Sequence, residues 1–561
     1  AHTQAQLALA IASCGLVAAW LAAEVSGLLF GPGAEEKPTS DCDAPGPGLQ
    51  PQAEMVGMPS TSAERAAGDG RDSWDAKKDS SGPDEEALAH AAEEGAAPPE
   101  SAVLVQACPS PRVSNVPGVD LVAALGEARP ALRASSEFIA ILVVAYLCDR
   151  TSVLPKAAKV YNPTHFWGLW ALIVIAALAT VRLLAHAKPM QREQTDEWKG
   201  WMQLMFLLYH YFAEKEIYNA IRLYIAAYVW MTGYGNFALY SRGKSFTVRR
   251  NLQMLFRLNF LVFAVCVALN DEYMLYYIAP MHTLFTVFVV VMLYVAQGAN
   301  VSRFRVYAKF ALTLCLMVFL YDGPPAVFKA AFGTLPVVRP LLAFHDPVHP
   351  EYTDELHEWH FRSGLDRYVW IVGMASAFHF EDFEAALSRL EKLAPWRVAL
   401  GRAAILAGLL PVLVVWWHEV FRLDKHAYNA WHPFTSFLPI TACVVLRNFT
   451  PALRQRYLFL FAYLGRVTLE TYILQFHVWM KTTGVNGSPK HLLVLIPGSY
   501  WANFAATSAL FLLLSVRASH TTVVLKDALI PPGAAALRNV WVFIAGLAAL
   551  SWVLAYAFVQ A

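Results

Sequence analysis

EWKGWMQLMFLLYHYFAEKEIYNAIRLYIAAYVWMTGYGNFALY, residues 197–240, sets the reading of the whole chain. It holds two apolar runs, Trp201–Phe212 and Ile221–Tyr240, separated by a short charged break. One helical crossing of a bilayer core takes about 20 apolar residues. The same pattern continues outward on both sides. Upstream lie runs at 138–147 and 166–184; downstream lie runs at 258–269, 275–295, 310–320, 369–378, 399–417, 434–446, 458–479, 492–516 and 540–559. With a first run at Leu7–Phe30, the chain reads as all-α: a polytopic integral membrane helical bundle with roughly a dozen or more helices, the shorter ones re-entrant, tilted or buried behind others.

Composition points the same way. Of 561 residues 57% are hydrophobic and 16% charged, and the mean hydropathy is +0.39. A soluble chain is about half apolar and about a quarter charged. A formal net charge of +1 lacks the concentrated basic face that nucleic acid requires, so membrane lipid is the expected surrounding and nucleic acid is not a partner. The cysteines, Cys14, Cys42, Cys108, Cys148, Cys266, Cys315 and Cys443, form no C-x-x-C pair and read as small core residues.

Three domains follow. Residues 1–30 read as a transmembrane anchor, retained because the apolar stretch is long enough to span and lacks a basic leader. Residues 31–134 are rich in Pro, Gly, Ala and acids and read as a disordered loop. Residues 135–561 form the multi-pass domain. Basic residues gather at 182–192, 242–250, 303–309 and 447–456, and the breaks around Asn270–Glu272 and Asn486 are poor in them. The positive-inside rule puts the basic clusters in the cytoplasm, with Lys199 at the cytoplasmic start of its helix and the stretch 321–364 in the lumen, able to lid a cavity. The segment 381–393, EDFEAALSRLEKL, has the charge alternation of a surface helix.

Ionisable groups inside spans are costly and mark a pathway or reaction centre. Lys199 and His210 are eleven residues apart, about three turns, which puts them on one helix face about 16 Å apart, the lysine at the boundary and the histidine near mid-bilayer. A neutral imidazole there can act as general base or acyl carrier, and the lysine can grip phosphates of an entering donor. Glu216, Asn219 and Arg222 open the next helix, with Tyr234 and Asn236 further along it. Arg257 in LFRLNF, beside Asn259, needs a carboxylate, phosphate or carbonyl partner. Glu470, Gln475 and His477 lie on LETYILQFHVW; Glu470 and His477 are two turns apart, so the carboxylate can orient the imidazole. His282, and His357 with His360 in HEWHFRSGLDRY, are further candidates. The H-x-x-H spacing lacks a third ligand, and no metal is expected.

EWKGWMQLMFLLYHYF, EIYNAIRLYIAAYVWMTGYGNF, LFRLNFLV, NDEYMLYYIAPMHTLFT, EWHFRSGLDRY and LETYILQFHVW together resemble the ten-transmembrane acyltransferase domain of fungal capsule O-acetylation, animal sialic acid O-acetyltransferase and plant reduced wall acetylation proteins. YHYFAEKEIYNAIR and SEFIAILVVAYLCDRT are most similar to the plant group. The resemblance covers residues 136 to the end. It implies transfer of acetyl from acetyl-CoA, at or across the Golgi membrane, toward cell-wall polysaccharide hydroxyls. Lys199 and His210 match a basic-x10-His pattern of bacterial membrane acyltransferases. On this resemblance and the residue chemistry, His210, Glu470 and His477 are the catalytic candidates. Lys199, Glu197, Gln203, Tyr209, Arg222, Asn236, Arg257, Asn259, His282, His360, Arg362 and Gln475 are the substrate- or cofactor-binding ones.

Animal relatives carry a lumenal serine-hydrolase-like domain between the first helix and the rest. Here the nearest string to its nucleophile block, Gly70-Arg71-Asp72-Ser73, does not fit it. The acceptor is therefore met directly or through a separate lumenal acetyltransferase. The relatives' insertion is lumenal, whereas the charge count puts this loop in the cytoplasm. Two other readings stand beside transfer: a transporter of acetyl-CoA or another acetyl donor, with the polar groups as its path, and a scaffold for lumenal acetyltransferases in which His210 is dispensable.

Overall fold

The computed structural model describes residues 117–241, 247–334 and 338–531. The anchor at 1–30, the acidic stretch as far as residue 116 and the run 540–559 lie outside the described residues. The chain forms α1 (Pro117–Arg150), α2 (Pro163–Leu178), α3 (Arg192–Tyr211), α4 (Tyr218–Ser241), α5 (Val248–Leu269), α6 (Ile278–Tyr294), α7 (Arg303–Tyr321), α8 (Pro325–Gly333), α9 (Val338–Leu342), α10 (His357–Leu365), α11 (Val369–Phe378) and α12 (Phe380–Glu391). It continues with α13 (Pro395–Trp416), α14 (Lys425–Thr435), α15 (Phe437–Arg447), α16 (Pro451–Arg454), α17 (Phe459–Leu464), α18 (Thr468–Leu474) and α19 (Tyr500–Leu529). Among the described residues five helical stretches are long and apolar enough to cross a membrane: Ala128–Arg150 of α1, α5, α7, Pro395–Phe421 and α19. Leu312 and Phe319 of α7 and Leu400 and Val415 of α13 face outward, where lipid accepts an apolar surface that water would penalise.

Two tight crossings hold the centre, and glycine permits both. Gly233 of α4 meets the Trp370 carbonyl and Gly373 of α11 meets the Trp230 carbonyl; Gly200 of α3 meets the Phe461 carbonyl and Gly465 meets the Asp196 carbonyl. A β-carbon at any of these four positions would overlap the facing oxygen. Small residues that let backbones touch are how helices associate where lipid removes the hydrophobic drive.

Short strands close the ends. β1 (Lys156–Ala158), β5 (His491–Leu493) and β4 (Met480–Lys481) form an antiparallel sheet in the order β1-β5-β4, and β2 (Val181–Leu183) pairs with β3 (Arg456–Leu458). The β2–β3 ribbon joins two of the basic runs, and α12 ties in a third: Asp382 pairs with Arg303 near its start, and Glu391 pairs with Arg454 at its end, 2.6 Å away. This is the surface helix expected from 381–393, set along the basic end. At the opposite end, α1 and α5 terminate together. Asn270 takes a left-handed conformation (φ 59°) that stops α5 and turns Asp271 inward.

The run Leu458–Trp479, long enough for one span, is three pieces. α17 stops before Gly465, which is pressed against α3; α18 follows, and then one wide π-type turn, Gln475–Trp479. Broken helices survive at membrane depth only where neighbouring protein satisfies the freed groups. Similarly, 492–516 is split between β5 and α19.

The crossings make a direct prediction. Gly233→Ala and Gly373→Ala each lower the thermal midpoint of the detergent-solubilised protein by the equivalent of about 1–3 kcal/mol or more, the cost of overpacking a site that cannot yield. Gly168→Ala on α2, where a β-carbon meets nothing within 4 Å, leaves it unchanged or raises it by up to about 1 kcal/mol through helix propensity.

Candidate functional site

His210 stands in the last turn of α3, roughly 27 Å along the axis from Arg192. It therefore lies near the end opposite the basic runs, further along the bundle than the mid-bilayer depth expected. Aromatic rings surround the imidazole, with centroids of Phe206 at 4.3 Å, Tyr209 at 5.3 Å and Phe476 at 5.9 Å. Nδ1 lies 3.2 Å from Gln475 Oε1. Gln475 is fully buried, and its Nε2 donates to the Tyr472 carbonyl at 3.0 Å. That bond fixes the amide, so its oxygen faces the ring. An amide oxygen only accepts; Nδ1 therefore carries the hydrogen and Nε2 keeps its lone pair.

Two cations stand by. Lys159, just after β1, donates to the His210 carbonyl at 2.7 Å and approaches Met480 Sδ at 2.9 Å. Arg362 of α10 lies 4.5 Å from the Tyr277 ring centre, donates to Glu358 at 2.7 Å, and is within electrostatic reach of His210, Tyr209 and Tyr472. The stretch 321–364 thus contributes a charged group to the site.

The wide turn that presents Gln475 to His210 sends His477 into a second, fully buried network. His477 Nδ1 is 2.9 Å from Asp149 Oδ2, and Nε2 is 2.5 Å from the Tyr276 hydroxyl. Asp149 also accepts from the Thr482 N–H at 2.6 Å and hydroxyl at 2.8 Å. Arg150 bridges Asp149 at 3.2 Å and Asp271 at 2.6 Å, and donates to the Leu269 carbonyl. Asp271 in turn accepts from the Asn486 N–H at 2.8 Å, and Asn486 Oδ1 accepts from Glu272 N–H at 2.7 Å, so the Asn486 amide oxygen is engaged and the residue nearly buried.

Glu470 does not orient His477. Its carboxylate pairs with Arg257 at 2.9 Å, which supplies the partner that the arginine's position demanded. The π-type turn between Glu470 and His477 widens the helix, so seven residues no longer return to one face. Lys199 is likewise not a free rim cation. α3 starts at Arg192, two turns earlier than expected, because Gln194 and Glu197 find partners on 454–458: Gln194 donates to the Arg454 carbonyl at 2.7 Å, and Glu197 accepts from Leu458 N–H at 2.7 Å. Lys199 then pairs with Asp196 at 2.7 Å and Glu197 with Arg447 at 3.3 Å.

The other candidates spread along the interior. Gln203 donates to Thr471 at 3.1 Å, next to Glu470. Arg222 pairs with Asp366 at 3.2 Å, and His432 approaches the same carboxylate at 3.4 Å. Asn236 bonds Thr286, Asn259 bonds Thr283 and Tyr273, and His282 lies 2.7 Å from the Thr232 hydroxyl. His360 is exposed and rests against Phe328 and Tyr321. Among the described residues no group of three His, Cys, Asp or Glu is placed to hold a metal ion.

Sequence reasoning missed Asp149, Arg150, Tyr276, Asp271, Lys159 and His432. The adjacent acid and base closing the apolar run in YLCDRT were a signal; Asp271 sat unremarked in a break noted only for lacking bases. Nothing marked Lys159, which reaches the site through the pairing of β1 with β5.

The family described as "10 TM Acyl Transferase domain found in Cas1p" matches residues 122–541. Among curated proteins, the N-acetylneuraminate (7)9-O-acetyltransferase of Danio rerio is 30% identical over 442 residues, 75% of this chain and 54% of that protein. The chain spans about half the length of this relative. No solved structure matches.

Two outcomes follow from the geometry. Asp149→Ala takes the shared carboxylate from fully buried His477 and from Thr482 and leaves Arg150 only Asp271 as its acid, and costs about 3–5 kcal/mol, whereas Tyr276→Phe removes the hydroxyl's contacts to His477 and Asp271 and costs about 1–3 kcal/mol; thermal melts rank the two. At the surface, Glu272 accepts from the His345 backbone N–H at 2.8 Å and pairs with its imidazole at 2.7 Å, with Glu355 4.0 Å from the ring. The Glu272 carboxylate raises the His345 pKa. The contact is therefore fully present below the ordinary value of about 6.5 and is lost as pH rises through the raised one. An NMR titration of His345 shows this, and Glu272→Gln returns the midpoint toward the ordinary value.

Proposed function

We propose, from the premise that this chain belongs to the ten-transmembrane acyltransferase family, that it is a membrane-bound O-acetyltransferase moving acetyl groups from acetyl-CoA, at or across the Golgi membrane, toward polysaccharide hydroxyls. The observation that carries the reading is the His210–Gln475 bond. It commits Nδ1 as donor and leaves Nε2 as a basic, nucleophilic nitrogen in an aromatic-walled position.

Two routes use that nitrogen. In the first, Nε2 takes the proton of an acceptor hydroxyl as its oxygen attacks the acetyl carbonyl; the C–O bond forms, the C–S bond breaks, and the imidazolium returns the proton to the departing thiolate. In the second, Nε2 attacks the carbonyl, the thiolate leaves, and the acetyl group rests on nitrogen until a hydroxyl takes it and gives up its proton. In both, negative charge develops on the carbonyl oxygen. Lys159 and Arg362 are the cations within electrostatic reach to offset it.

The acceptor class rests on likeness. The relative is named as a (7)9-O-acetyltransferase of N-acetylneuraminate, and the motifs at 209–222 and 136–151 resemble plant wall acetylation proteins. Lys159 orders the end of α3 through its bond to the His210 carbonyl. Arg222 and Arg257, each already paired with a carboxylate, shape the interior rather than grip phosphates.

Steady-state acetyl transfer by the purified protein tests the role of His210. His210→Ala lowers kcat by about 10²–10⁴ at unchanged protein level. Gln475→Leu, which frees the tautomer, lowers kcat by about 10² with KM little altered. Retained activity in His210→Ala removes the imidazole from the chemistry.

A further inference from the structure

The end of the bundle that holds His210 also gathers polar groups that no neighbour uses. Glu358 and Arg362 lie one turn apart on α10 and pair at 2.7 Å, through Arg362 Nε and one carboxylate oxygen. Their side chains stay 25% and 27% exposed. Among the described residues, the two Nη groups of Arg362 and the second oxygen of Glu358 make no hydrogen bond.

Three tyrosines meet this pair. The ring centre of Tyr277, just before α6, lies 4.5 Å from the guanidinium carbon. Tyr209 at the end of α3 and Tyr218 at the start of α4 are within electrostatic reach of the same group. All three are half-buried. The Tyr218 hydroxyl is engaged by Asn429 at 3.0 Å, whereas those of Tyr209 and Tyr277 make no hydrogen bond among the described residues.

We propose that Glu358 and Arg362, with the open hydroxyls of Tyr209 and Tyr277, form the acceptor subsite beside His210 and take a vicinal diol of an uncharged sugar ring. Two adjacent hydroxyls suit the arrangement: one donates to the open Glu358 oxygen, and its neighbour accepts from Arg362. A lone guanidinium would favour a carboxylate or phosphate. Here Glu358 offsets it, so an anionic sugar gains little from the arginine and meets a like charge at short range.

Position agrees with an acceptor. The Tyr209 ring centre is 5.3 Å from that of His210, and Arg362 is within electrostatic reach of the imidazole. The end of α3 and the starts of α4 and α6 lie opposite the basic runs, on the side that the charge distribution assigns to the lumen. The inference rests on the transfer reading above, because it takes the sugar as the group that receives acetyl at His210.

The test uses the full chain in nanodiscs and reads binding by saturation-transfer NMR titration, with methyl β-glucopyranoside, the corresponding methyl glucopyranosiduronate and CoA as separate probes. The parent is expected to bind the neutral glycoside at least about fivefold more tightly than the uronate. Tyr277→Phe weakens the neutral glycoside about fivefold, the loss of one hydrogen bond. Glu358→Gln leaves Arg362 uncompensated and shifts the preference about fivefold or more toward the uronate, a change that a merely structural role for Glu358 does not produce. In transfer assays both variants raise KM for the sugar and not for acetyl-CoA. A parent that binds the uronate more tightly, or neither sugar, overturns the proposal. So does a preference unmoved by Glu358→Gln, a neutral affinity unmoved by Tyr277→Phe, or variants that weaken CoA instead. Binding needs no turnover, so the two readings fail separately: activity retained in His210→Ala removes the transfer chemistry, and these affinity ratios are measured without it.

Discussion

Arg150 decides how one end of the molecule closes. Its guanidinium reaches Asp149 beside it, Asp271 and the Leu269 carbonyl at the end of α5, and Thr482 beyond β4. Three parts of the chain, the ends of α1 and α5 and the segment after β4, therefore meet at one cation. An always-charged group at this depth holds its place only if its donors are used, and the carboxylates around it are costly without it. That mutual need fixes the ends of α1 and α5, and through Asp149 it fixes His477. With His477 held, the wide turn is held, and Gln475 is aimed at His210 from the opposite side of the same backbone.

Two imidazoles thus receive different work from one stretch of five residues. His477 has both nitrogens engaged and no exposed surface; it organises. His210 has one nitrogen engaged and one kept basic, with Arg362 and Lys159 near; it can react. A regular helix through 470–479 would have put Glu470 and His477 on one face and turned Gln475 away from them. The π-type turn is the local irregularity that makes the arrangement, and such turns are common at functional sites.

How much of this was legible in the sequence depended on which interactions are local. Apolar runs gave the membrane bundle because burial in lipid needs length and composition alone. His210 stood out because an imidazole amid Leu, Phe and Tyr is costly without a use, and Arg257 because its charge demanded a partner. The identity of partners was not legible. Arg257 meets Glu470 from 213 residues away, and His477 meets Asp149 from the first described helix; no periodicity encodes either. Lys199 misled for a related reason. Its helix extends back to Arg192 because acids that look like interface residues are buried against 454–458. The break at Gly465 had a signal in the glycine itself, but its cause, the backbone of α3 in contact, belongs to the tertiary fold.

The central claim is that acetyl crosses to an acceptor by chemistry at His210, and one reconstitution tests it most directly. The purified protein is placed in liposomes with acetyl-CoA labelled separately in its acetyl and CoA parts, and each label is followed on both sides of the bilayer. The account predicts that acetyl reaches a sugar hydroxyl or the protein while CoA stays on the side where it was added, and that His210→Ala abolishes the separation. Entry of both labels together, unaffected by His210→Ala, would contradict it.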